Sequence, residues 1–325
     1  MRTRLHVLVT GGAGYIGSHV ALALRDRGDQ VVVLDDLSTG FREAVLDAPL
    51  VVGDAGDEAL LGRVLAEHAI DAVIHLAAHT SLPESLAQPE RYYANNTLAT
   101  ARLLQACQAA GVQRFVFSST AAVYGPPADG YASEDVPAAP ITPYGRSKIM
   151  VEKMLEDLAR TTPLRYVALR YFNVAGCDPR GRIGHSTRGA SQLIKVVCEH
   201  AAGKRDHVDV YGTSWPTPDG TGVRDYIHVS DLAEAHLCAL DHLAAGGAPA
   251  TLNVGYGRGY SVREVIAEAE RLCGHALSVR ERPARPGDLG KVIARNQRIL
   301  ETLAWQPRHD TLEAMVASTL AWERR

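Results

Sequence analysis

Two side chains four residues apart, Tyr144 and Lys148, are the groups in this sequence best suited to acid–base chemistry. They stand at the start of a predicted helix over residues 144–158, on which residues four apart share a face. A phenol with a pKa of about 10 is a poor base at neutral pH. A nearby ammonium stabilises the phenolate and lowers that pKa. The pair therefore predicts a base matched to an alcohol hydroxyl.

A cluster of hydroxyl side chains lies before this helix, where a predicted strand over residues 115–118 runs into Ser119 and Thr120. Ligands of parallel sheets bind at the carboxyl ends of the strands. Thr120 is the natural donor to the reacting oxygen. Ser118 and Ser119 are equally polar, and the sequence leaves open whether one of them only caps backbone groups.

A glycine-rich turn precedes both features. A predicted strand over residues 5–9 runs into Gly11, Gly14 and Gly17, and a predicted helix follows over residues 17–27. Glycines let the backbone approach a pyrophosphate, and a helix N-terminus supplies free N–H groups and positive potential. This context predicts a dinucleotide site. A positive nicotinamide ring there would further lower the phenol pKa, and Lys148 could bond to its ribose.

Acidic and amide side chains follow the other strands of the pattern. Asp35 ends the second strand at the offset where an acid accepts the adenosine ribose hydroxyls, which favours NAD over NADP. Asp36 can also be explained as a solvated turn residue that binds no ligand. Asp54 is placed to reach the adenine, and Asn95 to approach the pyrophosphate.

The elements that must position these groups alternate strand with helix. Near-continuous apolar runs predict strands buried on both faces, and the alternation predicts an α/β, doubly wound parallel sheet of the Rossmann type. After about Cys177 the pattern changes to shorter helices and to long loops over residues 178–189 and 211–222. We predict a dinucleotide-binding domain over residues 1–177 and a smaller α/β substrate domain over residues 178–325, with some segments crossing between them. The predicted strands are residues 5–9, 31–34, 50–52, 73–76, 115–118 and 167–170, and the predicted helices include 17–27, 59–68, 92–110, 144–158, 191–202, 229–243 and 261–272.

Composition narrows the classes of function. The 325 residues are 46% hydrophobic and 22% charged with a net charge of −3, so nothing favours nucleic acid or an anionic membrane as a partner. The five cysteines are an odd number without a CxxC pair, which indicates a reduced, cytoplasmic protein. No segment approaches the roughly 20 apolar residues of a membrane span. His75 lies at a strand end and His79 beyond it, where a spacing of four does not bring two ligands together as it would on a helix, so no metal site is predicted.

Seven strings carry a resemblance to a known family: TGGAGYIGSH, LDDLSTG, HLAA, FSSTAAVYG, TPYGRSK, LRYFNVAG and DGTGVRDYIHVSDLA. From about Val7 to Trp322 the chain resembles the UDP-galactose (UDP-glucose) 4-epimerases, isomerases of the extended short-chain dehydrogenase/reductase family. GTGVRDYIHV is especially specific, because a plain reductase has no need of it.

The resemblance implies a redox-neutral mechanism with permanently bound NAD. Tyr144 would take the 4′-hydroxyl proton while hydride moves from C4 of the sugar to NAD, with Thr120 assisting. The 4-keto sugar would then turn in its pocket and receive the hydride on its other face. A homodimer is also implied, through a four-helix interface of the helices at 92–110 and 144–158 with their copies.

The resemblance also assigns single positions. Tyr171 and Asn173 lie beside the nicotinamide and the sugar, Tyr211 beside the uracil, and Arg224 and Arg285 on the UDP pyrophosphate, where guanidinium forks suit phosphates. The cofactor-binding residues are therefore predicted to be Gly11, Gly14, Tyr15, Ile16, Gly17, Asp35, Asp36, Leu37, Asp54, Ala55, Leu76, Ala77, Ala78, Asn95, Ser118, Tyr144, Lys148 and Tyr171. The substrate-binding residues are predicted to be Thr120, Tyr144, Asn173, Gln192, Leu193, Tyr211, Arg224, Arg285, Asp288 and Val292.

Three positions depart from the family pattern. Thr80 stands where many members have a lysine, which removes one expected cofactor contact, and Gln192 replaces a frequent asparagine at the nucleotide. Val292 occupies the position that is bulky in members restricted to unacetylated sugars. The sequence therefore predicts a roomier pocket that admits UDP-N-acetylglucosamine.

Other proteins built on the same scaffold would need different residues at the site. A dehydratase needs an acid pair after the strand-end threonine, but Ala121 and Ala122 cannot transfer protons. A 4-epimerase of UDP-xylose or UDP-arabinose remains the alternative, since a pentose needs only the loss of contacts at C6. A non-catalytic NAD-binding relative should have lost Tyr144 and Lys148, and both are present.

Overall fold

Apolar strands alternate with helices through the first half of the chain, because each buries its apolar face on the other. The computed structural model describes residues 4–187, 189–285 and 287–325. Elements of the first half are β1 (His6–Thr10), α1 (Tyr15–Arg27), β2 (Gln30–Asp35), β3 (Leu50–Val52), α2 (Glu58–Glu67), β4 (Ala72–His75), α3 (Leu82–Ala87), α4 (Pro89–Tyr92), α5 (Ala99–Ala109), β5 (Arg114–Thr120), β6 (Tyr131–Ala132), α6 (Pro143–Thr161) and β7 (Arg165–Tyr171). They continue with β8 (Asn173–Ala175), α7 (Leu193–Ala201), β9 (Val208–Tyr211), β10 (Val223–His228), α8 (Val229–Ala244), β11 (Ala250–Val254), β12 (Gly259–Ser261), α9 (Val262–Cys273), β13 (Val279–Arg282), β14 (Lys291–Ala294), α10 (Gln297–Thr302) and α11 (Leu312–Glu323).

Seven parallel strands form the main sheet, in the order β11-β7-β5-β4-β1-β2-β3. Side chains alternate between two apolar layers: Val7 and Val9 of β1 pack with α1 and α8, whereas Leu8 packs with α2, α5 and α6. Both faces are covered, as purely parallel sheets require. The predicted doubly wound parallel sheet is confirmed.

The predicted strands of the first half are all present, with ends that differ by a residue or two. The predicted helix over residues 92–110 is continuous but not uniform, because six residues between α4 and α5, Tyr93–Leu98, are π-helical. Such widened turns occur often at functional sites.

The smaller part of the molecule has sheets of its own. One follows the path β12-β10-β14-β6 with β8 beside β10, and β9 pairs with β13. Helices α7, α9 and α11 close an apolar cluster against it. The β6 strand of this sheet comes from the first half of the chain.

The main sheet takes its last strand from the second half. β11 pairs with β7 along Ala250–Val254, and α8 covers the sheet beside α1. The proposed boundary near residue 177 stays a prediction, and these segments cross it.

None of the helices in the described ranges combines the length and the apolar composition needed to cross a bilayer.

Candidate active site

The carboxyl ends of β5 and β7 bring two predicted site residues side by side. Thr120 and Tyr171 are partners in the parallel register of these strands. Burial raises the pKa of Tyr171, the nearby Tyr144 also raises it, and a hydrogen bond with Ser118 lowers it. Tyr144, Ser118 and Thr120 therefore all lie near Tyr171.

Tyr144 lies in the first turn of α6. Thr142 caps this helix by accepting from the Gly145 N–H at 3.2 Å, and Pro143 fits its first position. The phenol is buried, and its ring meets the edge of the Tyr92 ring at a centroid distance of 6.4 Å. Burial raises the Tyr144 pKa, and a hydrogen bond with Thr120 opposes that rise.

Lys148 lies one turn further along α6. Its Nζ donates to the Ser118 carbonyl oxygen at 3.0 Å and lies 4.9 Å from the centre of the Phe117 ring. Burial lowers the pKa of Lys148 to about 7, although Glu152 raises it. Burial dominates the pKa of Tyr144, so the lowering of that pKa by Lys148 together with a positive nicotinamide ring stays a prediction.

In the glycine-rich turn between β1 and α1, other backbone atoms approach the glycines closely. Gly11 has φ +69°, and a Cβ there would meet the Ala77 nitrogen at 2.5 Å. A Cβ on Gly17 would meet the Gly11 oxygen at 2.1 Å. Gly14 caps α1 without a side-chain hydrogen bond, and the first turn of α1 carries no acidic residue. The start of this helix therefore suits an anionic ligand.

Asp35, which is predicted to accept the ribose hydroxyls, also holds this turn. Its carboxylate accepts from the Ala13 N–H at 2.9 Å and from the Leu37 N–H at 2.8 Å. Burial raises its pKa, and these two bonds lower it. Each oxygen keeps a second lone pair for a ribose hydroxyl. Asp36 and Asp54 are exposed and accept from Ser38 and Gly56 respectively.

The Tyr15 side chain contacts residues that follow β8. Its hydroxyl donates to the Gly176 oxygen at 2.6 Å, and its ring stacks on His185 at 3.9 Å. The predicted contact between Tyr15 and the cofactor stays a prediction. Its neighbours Ile16 and Leu37, and Leu76 across the turn, pack partly buried against the main core.

The π-helical segment places Asn95 beside a residue that the sequence analysis did not select. Asn95 is half-buried and donates to the Asn96 side-chain oxygen at 3.0 Å. Asn96 is buried, accepts from the His79 N–H at 2.9 Å and donates to the Ser147 hydroxyl at 3.1 Å. It ties the loop after β4, which holds Ala77, Ala78 and Thr80, to α6. A second asparagine beside the first was the available signal.

The predicted substrate residues of the smaller part also come together. Arg285 lies 4.5 Å from the centre of the Tyr211 ring and donates to Asp288 at 3.0 Å. Arg224 is the register partner of Val292 and donates to the Val223 oxygen at 3.0 Å. Burial lowers the Arg224 pKa, as does Arg285, whereas Asp288 raises it. Two guanidinium groups held this close favour an anionic ligand between them.

The remaining predicted positions lie in several parts of the fold. Asn173 is exposed at the start of β8, Gln192 is exposed as the residue that precedes α7, and Leu193 is the first residue of α7. Ala55 packs partly buried against the second apolar layer. Val292 is buried in a small apolar cluster with Phe172.

Two buried charged residues near the site were not anticipated. Glu152 is fully buried on α6 and pairs with Arg170 of β7 at 2.5 Å. The sequence analysis did not select Glu152, because its partner Arg170 is remote in sequence.

Within the described ranges, no three His, Cys, Asp or Glu side chains come close enough to hold a metal ion. His228 is buried, and its ring nitrogens contact Ser230 and Ser318.

Comparisons with known proteins agree with this geometry. Residues 7–255 match the NAD dependent epimerase/dehydratase family. The chain is 53% identical over 319 residues to the UDP-glucose 4-epimerase of Azospirillum brasilense, which covers 98% of this chain and 92% of that protein. It resembles the crystal structure of UDP-glucose 4-epimerase from Brucella ovis in complex with NAD, with a TM-score of 0.95, 41% identity and 98% coverage of both chains. The UDP-glucose-4-epimerase structure from Stenotrophomonas maltophila, with bound NAD and formylated UDP-arabinopyranose, gives a TM-score of 0.95 and 40% identity, covering 99% of this chain and 98% of that chain.

Proposed function

This chain belongs to the NAD dependent epimerase/dehydratase family, and we propose that it is an NAD-dependent isomerase that interconverts UDP-galactose and UDP-glucose at C4. The observation that carries the proposal is the meeting of Tyr144, Thr120 and Tyr171 at one edge of the sheet. A phenol and a hydroxyl joined there suit proton exchange with a sugar hydroxyl.

The residues of the glycine-rich turn fit NAD. The uncapped start of α1 offers its N–H groups to a pyrophosphate, and Asp35 offers carboxylate lone pairs to ribose hydroxyls. A carboxylate at this position disfavours a 2′-phosphate, which agrees with NAD rather than NADP. When bound, NAD supplies the acceptor and donor of a hydride.

Proton movement is the task of this chain's own side chains. Tyr144, once ionised, accepts the proton of the 4′-hydroxyl while Thr120 orients that oxygen, and the same phenol returns the proton after the sugar has turned. The Lys148 ammonium stabilises the phenolate. Oxidation and reduction cancel over the cycle, so no second substrate is needed.

The UDP group would be held by the smaller part. Arg224 and Arg285 are assigned to the pyrophosphate and Tyr211 to the uracil, supported by the 4.5 Å contact between Arg285 and the Tyr211 ring. Asn173, Gln192, Leu193, Asp288 and Val292 would complete the pocket.

The direct test is incubation of purified protein with UDP-galactose without added cofactor, followed by separation of the products. We expect UDP-glucose to form. Tyr144→Phe should lower kcat by about a hundredfold or more, because it removes the base. Absence of product from wild-type protein with a full complement of NAD would contradict the proposal.

We also propose that the pocket admits UDP-N-acetylglucosamine, because Val292 is smaller than the aromatic residues that could fill this position. Val292→Tyr should reduce turnover of this sugar far more than turnover of UDP-glucose. Equal losses on both sugars would contradict the assigned role of Val292.

A pentose substrate is the second candidate. It is favoured by the formylated UDP-arabinopyranose in the Stenotrophomonas relative. A kcat/KM for UDP-xylose above that for UDP-galactose would make it the main substrate.

We propose a homodimer built on α5 and α6. Leu98, just before α5, is 52% exposed and Met150 of α6 is 45% exposed, so both offer apolar surface to a second copy. Sedimentation should give twice the chain mass, and Met150→Asp should shift the protein towards monomer. A wild-type monomer at high concentration would exclude this interface.

We propose a cytoplasmic location, supported by five cysteines that are all free.

A further inference from the structure

Side chains on two successive turns of α6 form hydrogen bonds with two successive residues of β5. Lys148 donates through Nζ to the Ser118 carbonyl oxygen at 3.0 Å. One turn later, the carboxylate of Glu152 accepts from the Ser119 hydroxyl. The next residue of β5 is Thr120, so these contacts fix the helix that carries the base relative to the hydroxyl that assists it.

Arg170 completes the attachment from β7. It is the register partner of Ser119, one step before the Thr120–Tyr171 pair. Its Nε donates to Glu152 at 3.0 Å and its Nη2 at 2.5 Å, a bidentate arrangement with little freedom. Glu152 is fully buried, and the Arg170 side chain is 8% exposed.

The network continues into the smaller sheet. Arg170 donates to the Tyr124 hydroxyl at 2.9 Å, and that hydroxyl donates to the Asn253 side-chain oxygen at 2.7 Å. Asn253 in turn donates to the Ala132 and Arg295 oxygens at 3.0 and 3.2 Å. Further hydrogen bonds therefore hold both members of the ion pair, Glu152 through Ser119 and Arg170 through Tyr124.

A buried ion pair adds little net stability compared with a well-packed apolar pair, because desolvation offsets the attraction. We propose, on the basis of the proposed epimerase function, that Glu152 and Arg170 are positioning residues that hold Lys148 and Thr120 in register, and that the Glu152 carboxylate also keeps Lys148 in its ammonium form.

The charges around Lys148 support the electrostatic half of this proposal. Burial lowers the pKa of Lys148 to about 7, and Glu152 opposes it. His75 of β4 stays neutral, since burial lowers its pKa to about 3. Other titratable or charged groups on Lys148's own helix and on the elements packed against it include Tyr144, Arg170, Tyr171, Glu84, Arg91 and Tyr92, of which Glu84 and Arg91 pair with each other. The same helix also carries Arg146, Lys153, Glu156, Asp157 and Arg160.

The sign of the expected change follows from these groups. Removing the carboxylate at position 152 leaves Arg170 uncompensated and lowers the Lys148 pKa further. Activity that requires the ammonium is lost as pH rises through that pKa. The loss should therefore begin at lower pH in Glu152→Gln than in wild type.

The experiment uses NAD-loaded protein and records kcat and KM for UDP-galactose across pH. We expect Glu152→Gln to lower kcat by about ten- to a hundredfold with little change in KM. Its alkaline midpoint should move down by about one pH unit. Glu152→Asp keeps the charge, so it should keep the wild-type midpoint despite a lower kcat.

Tyr124→Phe is the matched control, because it removes a buried hydrogen bond of the same network without changing a charge. Its midpoint should equal that of wild type. An unshifted midpoint in Glu152→Gln, or an equal shift in Tyr124→Phe, would overturn the proposal.

Two further measurements guard against misfolding and against an inactive wild type. Glu152→Gln/Arg170→Gln replaces the ion pair by two amides that can bond to each other. If Glu152→Gln alone does not fold, the double variant should still show a kcat below that of wild type. A double variant with the kcat and the alkaline midpoint of wild type would overturn the proposal. Absorbance titration of the phenolate, with Tyr144→Phe as blank, needs no turnover. Glu152→Gln removes a negative charge near the phenolate, so Tyr144 should ionise at lower pH in this variant. Lack of wild-type turnover would count against the proposed function alone.

Discussion

Lys148 is buried at a position where a charged ammonium group is energetically unfavourable. Burial lowers its pKa from 10.5 to about 7, so the folded protein binds fewer protons at this site than the unfolded chain between these values. Stability contributed by this site therefore rises with pH across that window, and the full penalty applies below it.

Lys148→Met should reveal this penalty. Relative to wild type, the free energy of unfolding of the variant should be highest at about pH 7 and should decline as pH approaches 10.5. Urea denaturation across this range measures the trend. Lys153→Met, on the exposed side of α6, is the control and should show no such trend. A relative stability that stays constant with pH would contradict a buried, easily deprotonated Lys148.

At the scale of elements, the turn between β1 and α1 depends on missing side chains. Gly17→Ala would bring a Cβ to 2.1 Å from the Gly11 oxygen, a backbone atom that cannot yield without moving the turn. We expect a loss of about 1–3 kcal/mol in stability, together with loss of bound NAD, measured by denaturation and by absorbance.

Gly62→Ala is the matched control in the interior of α2. A Cβ there meets no atom within 4 Å, and alanine favours a helix over glycine by about 1 kcal/mol. This variant should be more stable than wild type and keep its NAD. Similar behaviour of the two variants would show that crowding at Gly17 is not what the turn depends on.

Elements with local signals could be predicted, and elements defined by distant partners could not. The turn at Gly11–Gly17 and the start of α6 carry their own glycine, proline and capping signals. The strand β11, with the sequence ATLNV, lacks a continuous apolar run and becomes a strand by pairing with β7. The π-helical turn has no composition that distinguishes it from α-helix.

The same distinction applies inside the site. Tyr144, Lys148 and Thr120 were selected because their residue types and spacing suggest chemistry. Asn96 and Glu152 were not, because their importance lies in contacts with residues that are remote in sequence. Asp35 was selected for a ligand, but its two backbone bonds to the turn came only from the three-dimensional structure.

At the scale of the whole molecule, the two parts are built from each other. The main sheet needs β11 and α8 from the second half of the chain, and the smaller sheet needs β6 from the first. Tyr15 adds a contact between the two through Gly176. The parts should therefore unfold together, as a single transition.

A fragment of residues 1–177 tests this interdependence. It would leave the β7 edge unpaired and the apolar face under α8 uncovered, so we expect a poorly soluble product with exposed apolar surface. A fragment of residues 1–255, which restores α8 and β11, should be measurably more soluble. A compact, NAD-binding 1–177 fragment would contradict this expectation.

The late arrival of β11 has a consequence for biosynthesis. On a translating ribosome, β7 emerges on the order of ten seconds before the strand that covers its edge. Through that interval the nascent chain presents an open row of amide and carbonyl groups to its neighbours on the polysome. Slower elongation between the two strands should lower the yield of native enzyme and increase its dependence on chaperones.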